Sequence, residues 1–335
     1  MNLEDLEKID SKKMFQIYDK WPSIAKESFQ QKNEKLYVKD IDHIVFVGMG
    51  GSGSIGDVIS SVLSKKNIHV TNVKGYLLPK TVDSKTLVIA ISVSGDTNET
   101  LTILESAKKS SAKIAAFASG GLMEEYCKKN NVFFQKIPMI HSPRASFTKF
   151  LYSILNVLQE IILIDDNDIK NSIKSLEKTR DSISSNNLNQ NNTSLRLANW
   201  IKQIPLIYYP GGLQAAAIRF KNSLQENSKI HVITEDVIEA SHNGVVSWER
   251  NSNVQPILLR GYNDHLKTIE RWEIIKEYFS EKGIDHFEIN SGEGDIFSKI
   301  VSLIYLLDYA SIYHAVLHKI DPSPVNAIDF IKNKL

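Results

Sequence analysis

The alternation of short apolar runs with helical stretches constrains the fold of this chain more than any other feature of its sequence. Stretches with helical periodicity separate most of the apolar runs of the first half. Short apolar strands that alternate with helices of roughly 10–15 residues are typical of βαβ units, which build a parallel sheet covered on both faces. The five runs lie at residues 43–47, 68–73, 86–91, 113–118 and 132–137.

A second series of the same kind begins at residues 205–209 and ends its first run in Gly211-Gly212. The two series together predict an α/β protein with two doubly wound domains, each a mostly parallel sheet flanked by helices. The later members of the second series are a helix at about 214–226, a strand at 254–259, a helix at about 268–280, a strand at 286–289 and a long helix at 296–318.

An Asn/Ser-rich stretch, SISSNNLNQNNTS at 182–194, is typical of a surface loop or linker between domains. We therefore predict an N-terminal domain over 1–164, a polar helical connector over 165–196, and a C-terminal domain with a tail over 197–335. Within the first domain, residues 1–40 are expected to be helical with a break at Trp21-Pro22, and 146–164 to form one long apolar helix.

Composition limits the class of protein. The 335 residues carry 40 Lys+Arg and 39 Asp+Glu, a formal charge of +1, which gives no support to a nucleic-acid or anionic-membrane partner. A single cysteine, Cys127, excludes an intramolecular disulfide and fits a reducing compartment. The N-terminus lacks the apolar core of a signal peptide, and no run approaches the ~18 apolar residues of a membrane-spanning helix. We expect a cytoplasmic protein.

The first motif is VGMGGSGSIGD at 47–57, which follows a strand and opens a helix. It matches G-x-G-x-x-G formally, but a dinucleotide site needs an acidic residue ~20 positions on, and no acid occurs until Asp83. A tight turn without any ligand is the second interpretation. In the third, the backbone N–H groups of Gly50, Gly51 and Ser52 face an anionic or hydroxylated ligand at the helix N-terminus.

The second motif is AISVSGDTNET at 90–100, where a strand runs into a helix start. Ser92, Ser94 and Thr97 converge there, and hydroxyls with a helix dipole favour a phosphate group. Ordinary helix capping would explain one hydroxyl. Three hydroxyls with a glycine are more than a cap needs, so we predict a phosphate site.

These two motifs together resemble the sugar isomerase (SIS) domain over residues 41–150. The second half adds QENSKIHVITEDVIEASHNGVVSWE at 225–249, which resembles the bifunctional phosphoglucose/phosphomannose isomerases: a Glu-Asn pair is followed by a His-Asn pair sixteen positions later, as Glu226 and His242 are here. SPRASF at 142–147 resembles the arginine segment of that family, and DPSPVNAIDFIKNKL resembles its tail.

The resemblance implies a role for each matched residue. Glu226 would move the proton between C1 and C2, His242 would handle the proton of the ring oxygen, and Arg144 would stabilise the enediolate. Lys332 would assist ring opening or hold a hydroxyl, with Lys334 as a competing assignment. Judged alone, each of these residues could be an ordinary surface, core or salt-bridged side chain. The implied phosphate contacts are Ser52, Ser94 and Thr97, with Ser92, Gly50 and Gly51 beside them.

The resemblance also implies a homodimer in which His242 comes from the neighbouring subunit. One departure is Gly244, where the family commonly has an acidic residue. Ser323 stands where the family often has threonine, and we assign it no role. His314 and His318 form an i, i+4 pair without a third ligand, so we predict no metal site and no cofactor.

The expected activity is a metal-free aldose–ketose isomerase that interconverts glucose 6-phosphate or mannose 6-phosphate with fructose 6-phosphate through a cis-enediol. The family places such an enzyme in glycolysis or gluconeogenesis. The alternative is a non-catalytic SIS-domain sensor that binds a sugar phosphate, which would need the hydroxyl loops but no base–acid pair. A glucosamine 6-phosphate synthase would need a glutaminase domain with an N-terminal cysteine, and residues 1–40 are too few for one.

Overall fold

The computed structural model describes residues 1–334, which form two compact units. We name them by their sheets. The first-sheet unit is Lys20–Ile173, and the second-sheet unit combines Met1–Asp19 with the chain from Lys174 onward. The division predicted from the sequence at 1–164, 165–196 and 197–335 stays a prediction.

Fourteen α-helices and nine strands occur in residues 1–334. The helices are α1 (Leu3–Ile9), α2 (Met14–Asp19), α3 (Trp21–Gln30), α4 (Gly50–Leu63), α5 (Asn98–Lys108), α6 (Gly121–Asn130), α7 (Phe147–Val157), α8 (Asp166–Ile183), α9 (Thr193–Trp200), α10 (Gln214–Ser223), α11 (Val237–Ala240), α12 (Leu266–Lys282), α13 (Ile296–Leu317) and α14 (Asn326–Lys332). The strands are β1 (His43–Val47), β2 (His69–Val73), β3 (Thr86–Ser92), β4 (Lys113–Ala118), β5 (Phe133–Lys136), β6 (Ile204–Tyr209), β7 (Ile233–Asp236), β8 (Val254–Arg260) and β9 (Phe287–Asn290).

The first-sheet unit contains a parallel sheet in the order β2-β1-β3-β4-β5. Every residue of β1 and of β3 is buried, as expected for central strands covered by helices on both faces. The chain moves to one side of β1 for β2 and to the other side for β3. The carboxyl ends of β1 and β3 therefore form a topological switch point, where open α/β sheets bind ligands.

The second-sheet unit contains a parallel sheet in the order β7-β6-β8-β9. Its core helix, α13, buries an ion pair in which Arg219 Nη2 lies 2.7 Å from Asp308 Oδ2. The N-terminal segment packs on the same helix: the Tyr18 hydroxyl donates to Asp308 Oδ2 at 3.2 Å, and the Tyr309 hydroxyl donates to the Phe15 carbonyl at 3.1 Å. Residues 1–19 thus complete the unit that holds the second sheet.

Helix α13 is long and apolar enough to cross a membrane, with a mean hydropathy of 1.6 over its 18-residue window. It is not an unbroken apolar run, because Lys299 and Asp308 interrupt it. In the structure, 83% of the window is buried. An apolar helix of this kind is typical of the core of a soluble protein.

The alternation predicted from the sequence is confirmed, and β1 and β4 have the predicted bounds. The predicted break at Trp21-Pro22 falls between α2, which ends at Asp19, and α3, which begins at Trp21, because proline fits the first helical positions, where its missing N–H is not needed. Two details differ. Residues 31–40 are not helical, and α7 ends at Val157 rather than near residue 164.

Candidate active site

The first loop of the candidate site connects β1 to α4. The backbone at Gly50 is left-handed, with φ 52°, and a Cβ on Gly53 would lie 2.6 Å from the Gly48 carbonyl oxygen. Glycine is therefore required for the close turn that aims α4 at the switch point. The first N–H groups of a helix have no partner within it, and its dipole favours a negative ligand.

The second loop connects β3 to α5 and is held together by its own hydroxyls. Ser92 Oγ accepts a hydrogen bond from the Gly95 N–H at 3.0 Å and lies 2.9 Å from Thr97 Oγ1. Ser52, from the first loop, accepts a hydrogen bond from the Val93 N–H at 3.1 Å. The two loops are thus joined directly at the switch point.

Burial divides the predicted hydroxyls into two groups. Ser52 and Ser92 are buried, with 6% and 1% of their surface exposed. Ser94 and Thr97 are half-buried, so they have access to a ligand. The geometry places Ser92 as a support of the loop and leaves Ser94 and Thr97 on its accessible side.

A charged pair beside the first loop was not predicted from the sequence. Lys74 follows β2, and its Nζ lies 2.6 Å from Asp57 Oδ2 on α4. Burial raises the pKa of Asp57, and the Lys74 ammonium opposes that rise. A lysine stands here near the end of the second strand, where a dinucleotide-binding protein would place an acid for the ribose. The lysine at this position is the signal in the sequence that could have pointed to the charged pair.

Arg144 lies in the same unit as these loops. It is buried, with 4% exposed, and its Cα would lie 3.5 Å from a Cβ on Gly51. The segment is fixed by Ser146, whose hydroxyl donates to the Ile140 carbonyl and accepts from the Ile140 N–H, both at 2.8 Å. The arginine segment and the first loop are therefore neighbours.

Glu226 lies in a π-helical turn, Leu224–Ser228, that extends α10. The two residues after it are buried and tied to α13: Asn227 Nδ2 donates to Ser311 Oγ at 2.8 Å, and the Ser228 hydroxyl donates to the Ser311 carbonyl at 2.9 Å. Glu226 itself is half-buried. A π-turn is rare and frequent at functional sites, and here it presents one carboxylate between anchored neighbours.

His242 is exposed and follows α11. Its neighbour Asn243 is held by a hydrogen bond from Nδ2 to Glu239 Oε1 at 2.9 Å. The carboxylate of Glu235 lies beside Gly244: a Cβ on Gly244 would lie 2.5 Å from Glu235 Oε2. Oε2 is buried without a hydrogen-bond partner in residues 1–334, and desolvation raises the pKa of Glu235.

Lys332 is the last residue of α14 and is exposed. No residue of α14 is buried, and Phe330 is 62% exposed. The tail before the helix contacts the N-terminal segment: the Ser11 hydroxyl donates to Asp321 Oδ2 at 2.5 Å, and the Ser323 hydroxyl donates to Asp10 Oδ1 at 3.4 Å. Within the described residues, no group of three or more His, Cys, Asp or Glu side chains is placed to hold a metal ion.

The predicted residues divide between the two units. The first-sheet unit brings together the two hydroxyl loops and Arg144, and the second-sheet unit carries Glu226, His242 and Lys332. Their chemical roles stay predictions. The second sheet has a switch point of its own after β8, but there Asp264 Oδ2 accepts hydrogen bonds from the Gly261 N–H and from Trp272 Nε1, both at 3.0 Å. A carboxylate in that loop disfavours a phosphate.

Comparisons with known proteins agree with this division of the chain. The SIS domain matches residues 36–158, and the bacterial phospho-glucose isomerase C-terminal SIS domain matches 190–335. A crystal structure of a hypothetical protein from Thermus thermophilus, 13% identical, superposes with a TM-score of 0.74 over 98% of this chain and 92% of that one. That similarity supports the fold alone.

Two curated relatives are more specific. A bifunctional phosphoglucose/phosphomannose isomerase of Caldicellulosiruptor bescii is 36% identical over 91% of this chain and 93% of its own length. A protein of the same name from Aquifex aeolicus is 30% identical over 94% of both chains. With its two SIS domains, the chain belongs to the bifunctional phosphoglucose/phosphomannose isomerase family.

Proposed function

We propose that this protein is a metal-independent isomerase that interconverts glucose 6-phosphate and mannose 6-phosphate with fructose 6-phosphate. The observation that carries the proposal is the pair of joined hydroxyl loops at the first switch point, where Ser52 accepts from the Val93 N–H. Neutral donors and helix N-termini bind a phosphate without a metal. The activity of the relatives, as their names give it, supports the reaction.

In the proposed mechanism, Ser94, Thr97 and the N–H groups of Gly50 and Gly51 hold the phosphate. Glu226 removes the proton from C2 of the aldose and returns it to C1, through a cis-enediol. Arg144 stabilises the charge of the enediolate. Rotation about C2–C3 before reprotonation lets one base serve both epimers.

Ring opening requires a second group. We assign the proton of the ring oxygen to His242 and an assisting role to Lys332. The exposed position of His242 in its own chain supports its use by a second subunit. Val246 and Ile274, in the same region of the second-sheet unit, are 58% and 63% exposed, and they offer apolar surface for that contact.

We propose that the protein acts in a reducing cytoplasm, in glycolysis or gluconeogenesis. The support is cysteine usage: the sequence has one cysteine, Cys127, so it forms no intramolecular disulfide.

An assay of EDTA-treated protein with fructose 6-phosphate, which measures glucose 6-phosphate and mannose 6-phosphate separately, tests the reaction. We expect both products, and a loss of about 10²–10⁴-fold in kcat in Glu226→Gln. Glu277→Gln, an exposed change on α12, is the matched control and should retain full activity. If the wild type binds a sugar phosphate but does not turn it over, the proposed isomerase activity is wrong and the non-catalytic sensor is favoured.

A mixing experiment tests the dimer. Glu226→Gln and His242→Asn subunits are each inactive in the proposal, but a mixed dimer contains one site with both native residues if His242 crosses the interface. Equal mixing should then restore up to about a quarter of the wild-type activity. No recovery after subunit exchange would place both residues of each site in one chain.

A further inference from the structure

Lys229 connects two segments that each carry a candidate catalytic residue. It ends the Glu226 turn with a left-handed backbone, φ 59°. Its Nζ donates to the Glu226 carbonyl at 2.5 Å and to the Pro324 carbonyl at 2.8 Å. One ammonium group therefore joins the turn at Leu224–Ser228, which we call the base turn, to the tail that begins at Asp321.

Two further carbonyl oxygens surround the same ammonium group. Those of Asn227 and Pro322 both lie 3.5 Å from Lys229 Nζ. Two carbonyls come from the base turn and two from the tail, and an ammonium has three donors to share among them. A left-handed backbone is uncommon for a residue other than glycine, and it persists where the surroundings determine it.

The N-terminal segment also holds the start of the tail, through Asp321 and Ser323, but the helix of the tail, α14, has little packing to fix it. None of the residues of α14 is buried, so packing does not define where the helix lies. Ile328, Phe330 and Ile331 are 39%, 62% and 59% exposed. The placement of Lys332 relative to the base turn therefore depends on residues 321–325, which are the part that Lys229 contacts.

We propose that Lys229 is a positioning residue that holds the tail carrying Lys332 against the turn carrying Glu226. The inference rests on the proposed function for its catalytic consequence and on the four carbonyl contacts for its structural part. Lys229 itself need not touch the substrate for this role, because the contacts described here are with main-chain oxygens.

Amide hydrogen exchange tests the structural part without any assay of activity. In Lys229→Met, exchange of residues 322–334 should become at least about fivefold faster, because the tail loses its charge-assisted hydrogen bonds. Lys319→Met is the matched control, since Lys319 is also an exposed lysine with a left-handed backbone, φ 57°. Unchanged exchange in Lys229→Met would overturn the proposal whatever the activity of the protein.

Steady-state kinetics with fructose 6-phosphate test the catalytic part. Lys229→Met should lower kcat by about tenfold or more with a change of KM below about threefold, because the proposed phosphate contacts are Ser94 and Thr97 and do not involve Lys229. Lys229→Arg should recover most of the loss, since it keeps the charge and the donors. Faster tail exchange with an unchanged kcat would overturn the positioning role.

A double-mutant cycle with Lys332→Ala shows whether the effect travels through the tail. If it does, Lys229→Met should cost less than about twofold in kcat once Lys332 is gone, because coupled residues are not additive. If the effects of the two substitutions on kcat are fully additive, Lys229 does not act through Lys332. A wild-type protein without turnover would instead overturn the proposed function, and the exchange experiment would still test whether Lys229 holds the tail.

Discussion

Ser92 and Ser94 are two residues apart, yet the structure uses their hydroxyls differently. Ser92 is 1% exposed and accepts from the Gly95 N–H, so its oxygen supports the loop. Ser94 is half-buried and accepts only a long hydrogen bond, 3.3 Å, from the Asp96 N–H. The first hydroxyl stabilises the fold of the site, and the second is available to a ligand.

We expect Ser94→Ala to raise the KM for a sugar phosphate by about tenfold, the equivalent of one lost hydrogen bond to a charged group. Its midpoint of thermal unfolding should stay within about 1 °C of the wild type. Ser92→Ala should raise KM and also lower the free energy of unfolding by about 1–3 kcal/mol, because it leaves a buried N–H unpaired. Thermal unfolding and KM measured on both variants check this, and equal unfolding midpoints would contradict it.

The sequence could indicate these loops because hydroxyls and glycines at strand ends form a local pattern. It could not indicate that Glu235 fills the space beside Gly244, since the two residues meet only through the fold of β7 and the turn after α11. The Lys74–Asp57 pair and the contacts of Lys229 with Pro324 were missed for the same reason. Contacts between segments far apart in sequence have no local signature.

At the scale of elements, α13 combines an apolar surface with a few buried polar groups. His314 is one of them, with 4% exposed and its ring centroid 4.3 Å from that of His318. Burial and the neighbouring His318 lower the pKa of His314 to about 4, although a hydrogen bond with the Ile201 backbone opposes the shift. The helix therefore holds a neutral imidazole that protonates readily only after unfolding.

This gives a pH dependence with a definite sign. Because the folded pKa of about 4 lies below the unfolded value of ~6.5, the unfolded state binds more protons between these values, and stability falls as the pH falls through that window. From pH 7.5 to pH 5 the wild type should lose about 2 kcal/mol that His314→Gln does not lose. Urea unfolding of both proteins at the two pH values checks this, and parallel losses would contradict it.

The elements predicted best were those with a strong apolar pattern. Strands β1 and β4 are runs of mostly apolar residues, and their bounds agree with the prediction. Strand β7 was missed because its sequence, ITED, has one apolar residue and two acids and pairs only at the edge of its sheet. The π-turn at Glu226 was read as a continuation of a helix, since both show the same periodicity.

At the scale of the whole molecule, the two sheets are not equivalent as binding sites. Hydroxyls occupy the switch point of the first sheet, whereas Asp264 occupies the corresponding loop of the second. A carboxylate repels a phosphate dianion, so we expect the duplicated fold to carry the proposed phosphate site at the first sheet and not at the second.

We therefore expect one sugar phosphate per chain. Isothermal titration calorimetry of Glu226→Gln with fructose 6-phosphate, a variant chosen to prevent turnover, should give a stoichiometry of about one. Asp264→Asn should leave that number unchanged and act on stability instead. A second binding event in the parent variant would contradict the assignment of Asp264.

The second-sheet unit is built from two separate segments of the chain, and this leads to a prediction about fragments. Residues 20–173 should fold alone, because they contain a complete sheet and its helices. Residues 174–335 should be destabilised by at least about 3 kcal/mol without residues 1–19, which cover the tyrosines of α13. A synthetic 1–19 peptide added to that fragment should restore cooperative unfolding; unfolding at the same midpoint without it would contradict the prediction.

The same arrangement determines the order in which the protein can mature on the ribosome. Tyr18 is made 290 residues before Asp308, to which it donates. At a synthesis rate of ~5–20 residues per second, the first segment waits roughly 15–60 s for its partner helix while the first-sheet unit emerges whole. The hydroxyl loops can thus assemble on the nascent chain before Pro324 is made, and the contact between Lys229 and Pro324 forms only after residue 324 has emerged. The proposed site would therefore be completed in two steps, with its phosphate loops first.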